Sequence, residues 1–117
     1  MEFFPANKAY QATHSLGFRT FIKIRKSKSD TVFYEPFAGA KNADTSMGVR
    51  AHELEISERS HAHGLETKIV YFTVPGEPFA ALAREVTFTN HTHHPIEMEV
   101  LDGMPRVVGW SGPLSLE

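Results

Sequence analysis

The stretch Glu85–Val100, EVTFTNHTHHPIEMEV, carries the reading on which the fold class turns. In its first half Val86 and Phe88 alternate with Glu85, Thr87 and Thr89. In its second half Ile96, Met98 and Val100 alternate with Glu97 and Glu99. A period of two belongs to an extended chain, whose successive side chains point to opposite faces, so each half reads as a strand with one dry and one wet side. Asn90–Pro95 (NHTHHP) between them is a cluster of turn formers, and the whole is predicted to be a β-hairpin with its acids in water.

The same rhythm extends upstream. Ile69–Val74 (IVYFTV) is apolar on both faces and β-branched or aromatic throughout, which marks a central strand. Pro75, Gly76 and Pro78 stop it, because proline cannot donate to a ladder. Phe79–Arg84 (FAALAR) has helix propensity but runs straight into Glu85–Thr89, so one long strand is predicted there, with a helical start as the alternative. Nearer the N-terminus, Phe18–Ile24 and Thr31–Tyr34 flank the polar turn Lys26–Asp30 as a second hairpin. Ala38–Ser46 reads as a loop, Val49–Ile56 as a half-buried strand, and Glu58–Gly64 (ERSHAHG) as a polar turn. Beyond Val100, Asp102, Gly103 and Pro105 break the chain before a short strand at Arg106–Val108. At least six strands without a long amphipathic helix predict an all-β antiparallel β-sandwich.

Composition bounds what such a domain can do. The chain has 117 residues, enough for one core and too few for two, and its nine Phe supply much of that core. Twelve Lys and Arg against fourteen Asp and Glu leave a net charge of −2, so no basic field exists to hold nucleic acid. Cysteine is absent, which fits a reducing compartment, and a cytoplasmic location is expected. No apolar run reaches the roughly 18 residues of a membrane span, so no membrane partner is expected. Leu116–Glu117 is a dipeptide that cloning sites commonly leave before a tag, and the expectation is a single β-sandwich domain over residues 1–117, excised from a larger enzyme.

Seven histidines are the most conspicuous chemical feature. His61 and His63 stand two apart in one turn, and His91, His93 and His94 cluster in another. Residues two apart in a strand share a face, so His61, His63, His91 and His93 are weak candidates for a shared ion, and His61, His63 and Glu66 form a second, cupin-like set in which His-x-His and a carboxylate would supply facial ligands. Nothing in the sequence requires the two turns to meet, and no metal or other cofactor is expected. The carboxylate pairs Glu53/Glu55 and Glu97/Glu99 have the spacing of a sheet surface rather than of a glycosidase dyad. Asp102 beside Gly103 reads as a turn marker. Trp110, with Tyr10, Tyr34 and Tyr71, is a candidate sugar-stacking platform, although core packing accounts for Tyr71 more simply. No catalytic residue is assigned.

Gly64–Pro105 also carries a resemblance. The phrases YFTVPGEPFAALAREVTFTN and IEMEVLDGMP are similar to the N-terminal β-sandwich region of cellobiose phosphorylase-like, glycosyltransferase-36-type glycoside phosphorylases, over about a third of the chain. The resemblance implies a non-catalytic sandwich that supports a separate (α/α)6 catalytic barrel elsewhere in the parent chain. No catalytic residue of the family maps onto this sequence. The family's sandwich is longer than this chain, so exposed sheet edges and edge-to-edge homo-oligomers are expected. Two other readings remain open: a carbohydrate-binding module that takes an oligosaccharide, and a histidine-dependent metal-binding domain.

Overall fold

A computed structural model describes residues 17–39, 41–79 and 81–104. These form seven strands and no helix: β1 (Arg19–Arg25), β2 (Thr31–Tyr34), β3 (Ala43–Val49), β4 (Glu53–Ser60), β5 (Leu65–Thr73), β6 (Leu82–Asn90) and β7 (Glu97–Gly103). They make two antiparallel sheets, a three-stranded one in the order β2-β1-β7 and a four-stranded one in the order β3-β4-β5-β6. The chain is an all-β sandwich. Among the described residues no helix is long and apolar enough to cross a membrane.

Alternation builds the interior. In β1, Thr20, Ile22 and Ile24 are buried while Phe21 and Arg25 are exposed, and the registers Ile22↔Tyr34, Ile22↔Val100 and Ile24↔Met98 put the apolar sides of all three strands on one face. In β5, Leu65, Thr67 and Ile69 are buried and face the first sheet. Ile22, Ile24, Tyr34 and Leu65 form the core, with Phe88, Ile96 and Met98 packed against it, so residues from both sheets exclude water together. Outside, Lys23–Glu99 and Arg25–Glu97 pair across β1 and β7 at 3.3 Å each, which places both acids in solvent.

Three expectations are corrected. The hairpin expected over Phe18–Tyr34 is present as β1 and β2, but β6 and β7 do not pair. They lie in opposite sheets, and His91–Ile96 is an arch between them. Two strands with one apolar side each can bury those sides next to one another in a sheet or across a sandwich, and period two is the same in both cases. The arch is shaped locally by Asn90, whose side-chain oxygen accepts from the Thr92 N–H at 2.8 Å and whose amide donates to the His94 carbonyl at 2.7 Å.

The second correction concerns residues 38–56. Ala43–Val49, read largely as loop, is strand β3, and Val49–Ile56, read as one strand, is split by a turn that the Arg50 N–H closes on the Glu53 carbonyl at 2.8 Å. β3 has one neighbour and faces solvent almost throughout, so backbone pairing with β4 makes the strand and no apolar pattern announces it. Third, the polar stretch Glu58–Gly64 is turn only from His61 onward. Glu58 and Ser60 finish β4 and point inward, both buried. The FAALAR alternative is settled in favour of strand from Leu82. The expected strand at Arg106–Val108 lies outside the described residues.

Candidate functional site

Between the sheets, at the end where β1 begins and β2 leaves, lies a cleft of about 460 Å³. Ile56, Ile69 and Tyr71 of the four-stranded sheet form its floor. Phe18 and the crossover residues Pro36 and Phe37 form its sides. The Arg19–Glu35 ion pair, made through Nε at 2.8 Å and a second nitrogen at 3.0 Å, stands at the rim. This fork-to-fork geometry holds the Arg19 guanidinium charge, and the bond from Glu35 raises its pKa above the ordinary arginine value.

Arg84 reaches into this region from β6. Its side chain is only 8% exposed, and its nitrogens bind three groups: Nε donates to the Tyr71 hydroxyl at 3.0 Å, one terminal nitrogen to Asp102, and the other to Thr20 Oγ1 at 3.1 Å. Thr20 in turn donates to the other Asp102 oxygen at 2.6 Å. The guanidinium carbon lies 5.0 Å from the Phe18 ring centre and 5.6 Å from that of Tyr71. Burial works against the charge, but Tyr71 and Asp102 outweigh it and the pKa is raised. Arg84 belongs to one sheet while Thr20 and Asp102 belong to the other, so this network joins the two layers.

Sequence reasoning passed over Arg84 and read Asp102 with Gly103 as a turn that ends the strand, whereas Asp102 and Gly103 both lie within β7, in register with Thr20 and Arg19 of β1. The signal for Asp102 was parity: it shares the inward face of Ile96, Met98 and Val100, where an acid implies a buried cation. The same parity argument finds Glu58, in phase with Leu54 and Ile56.

Glu58 centres a second cluster. One carboxylate oxygen accepts from the Tyr34 hydroxyl and from the Phe37 N–H, the latter at 2.9 Å. Phe37 has φ of 66°, a left-handed conformation that is unfavourable for a residue with a Cβ, and the Glu58 bond holds it there. Burial, together with the neighbouring Glu58 charge, raises the Tyr34 pKa well above the ordinary tyrosine value. The His63 ring packs against Tyr34 in a tilted arrangement with ring centres 4.9 Å apart, and burial there, with Lys26 adding to it, lowers its pKa.

The histidine turns do meet: the His91 N–H donates to the Gly64 carbonyl at 2.8 Å. The four imidazoles nevertheless diverge. His61 pairs with Asp44 at 2.7 Å, His63 packs on Tyr34, His91 pairs with Glu66 at 2.7 Å, and His93 is exposed. Among the described residues no group of three or more His, Cys, Asp or Glu is placed to hold a metal ion. Glu53 and Glu55 share Arg50, at 3.1 and 3.7 Å, and Lys68 approaches Glu55 at 3.4 Å, so this pair is tied into surface ion pairs. Trp110 and Tyr10 lie outside the described residues. Comparison of the chain with protein-family models, with curated proteins and with solved structures finds no match in any of the three.

Proposed function

We propose that this chain is a non-catalytic β-sandwich module of a carbohydrate-active enzyme resembling cellobiose phosphorylase, built to support a separate helical catalytic barrel, in a cytoplasmic parent protein. The observation that carries the reading is an uncovered stretch of the larger sheet. Met47, Val49 and Leu82 lie on its inward face, in register with Ile56, Leu54 and Thr73, yet they are 71%, 75% and 63% exposed. Apolar side chains on the face that elsewhere packs the sandwich, left bare beyond the smaller sheet, suit a surface that another part of a larger protein covers. The outer strands β2, β3, β6 and β7 each have one unpaired edge among the described strands, which suits edge-to-edge association of copies as well.

Methionine oxidation tests the reading directly. Met47 is expected to oxidise rapidly with dilute peroxide in this chain and slowly in a longer natural chain that carries a barrel. Equal rates in the two, or phosphorolysis of a disaccharide by this chain alone, would remove the proposal.

A further inference from the structure

The inter-sheet cleft has a chemistry of its own. Its volume of about 460 Å³ lies within the roughly 300–1,000 Å³ of small-molecule sites. The rings of Phe18, Phe37 and Tyr71 line it, as do the polar ends of Arg19, Glu35 and Arg84. Charge is cancelled inside the protein: Arg19 is matched by Glu35, and Arg84 by Asp102 behind it. An anionic ligand would therefore compete with carboxylates already bonded to both guanidiniums, and a cationic one would face two guanidiniums for the single carboxylate of the lining. A purely apolar ligand would strand the Glu35 carboxylate and the guanidinium edges against a surface that cannot hydrogen-bond, which is costly.

Arg84 is also fixed in advance. A guanidinium carries five N–H groups, and three bonds, to Tyr71, Asp102 and Thr20, hold this one while it lies against two rings. Two N–H groups remain for a ligand among the described residues. Glu35 offers spare lone pairs as an acceptor, because each carboxylate oxygen can accept more than one bond. Rigid donors, a carboxylate acceptor and aromatic faces around a neutral space are complementary to a ring that bears hydroxyls on its edge and C–H groups on its face.

We propose that this cleft is a binding site for a neutral, polyhydroxylated ring compound, of the chemical class of a mono- or disaccharide. The ring lies against Phe18 or Tyr71, and its hydroxyls donate to Glu35 and accept from Arg84. The site needs no barrel, so its failure would leave the module reading standing, and failure of that reading would leave the cleft.

The test is a titration of the whole chain with glucose, cellobiose and maltose, followed by amide chemical shifts. Saturable shifts are expected at Phe18, Phe37 and Tyr71, with none at Phe33, which is exposed on the far face of the smaller sheet. Phe18→Ala, at a half-exposed position that precedes β1, is expected to weaken binding about tenfold through lost ring contact. Phe37→Gly removes a ring at a left-handed position that glycine adopts freely, so it separates ligand loss from unfolding. The proposal is overturned by an absence of saturable shifts with all three sugars, by unchanged affinity in both variants, or by glucuronate binding more tightly than glucose.

Discussion

Glu58 is 1% exposed, with two donors on one carboxylate oxygen and no partner among the described residues for the other. A buried carboxylate held by neutral donors alone depends heavily on each of them. Tyr34→Phe is therefore expected to cost about 1–3 kcal/mol in chemical denaturation, since it leaves a charged acceptor underbonded. Thr67, the register partner of Glu58, is fully buried and its hydroxyl is likewise without a partner. Replacing it with valine keeps the shape and removes the orphan, so Thr67→Val is expected to gain about 1 kcal/mol, and a fall in Tm would refute the account. The perturbed pKa values of His63 and Tyr34 bracket a plateau of stability. His63 titrates below its ordinary 6.5 when folded, so the unfolded chain binds the proton first, and stability present above pH 6.5 is lost as pH falls toward the folded value. Tyr34 titrates above its ordinary 10.0, so its contribution is whole below pH 10 and is lost as pH rises beyond it. Denaturation midpoints across pH should show both flanks, and His63→Phe should flatten only the acid one.

At the level of elements, the turn after β4 and the arch after β6 are interlocked. Gly64 has φ of 63°, and a Cβ there would overlap the Thr92 methyl group, which Thr92 cannot easily move because its N–H and hydroxyl both bond to Asn90. Gly64→Ala is expected to cost about 2 kcal/mol, from the left-handed strain and the overlap together. Thr92→Ser on the same background should recover the overlap and leave the strain. A cost of the same size in both variants would show that the Thr92 methyl group does not limit the space at Gly64. This packing and the bond from the His91 N–H to the Gly64 carbonyl join the two turns at this end of the sandwich.

For the molecule as a whole, the sheets are held by core packing, by the Tyr34–Glu58 bond and by the polar tie at Arg84. Arg84→Met deletes that tie and leaves Asp102, whose side chain is about a third exposed, without its cation, for an expected loss of about 1–2 kcal/mol, below that of a fully buried pair. The further change Asp102→Leu should restore much of it, because the cost arises from an unmatched charge rather than from lost attraction. The bare inward face of β3 is the surface that the proposed association of copies would use. Met47→Lys is expected to reduce concentration-dependent association by light scattering, with little effect on the midpoint of unfolding, since this side chain packs against little.

The residues alone determined that the chain would form pleated sheets around one core, because alternation in β1, β6 and β7 is a local property that each strand carries with it. The β1–β2 hairpin was legible for the same reason, and so was the solvent position of Glu97 and Glu99. Tertiary structure decided the rest. Whether β6 and β7 lie side by side or face to face is invisible to a pattern that is identical in both arrangements. β3 exists because β4 offers it hydrogen bonds, and Arg84, Asp102 and Glu58 acquire meaning only when sheets from distant parts of the chain bring them together. A buried charge is defined by what it meets, and sequence order does not say what that will be.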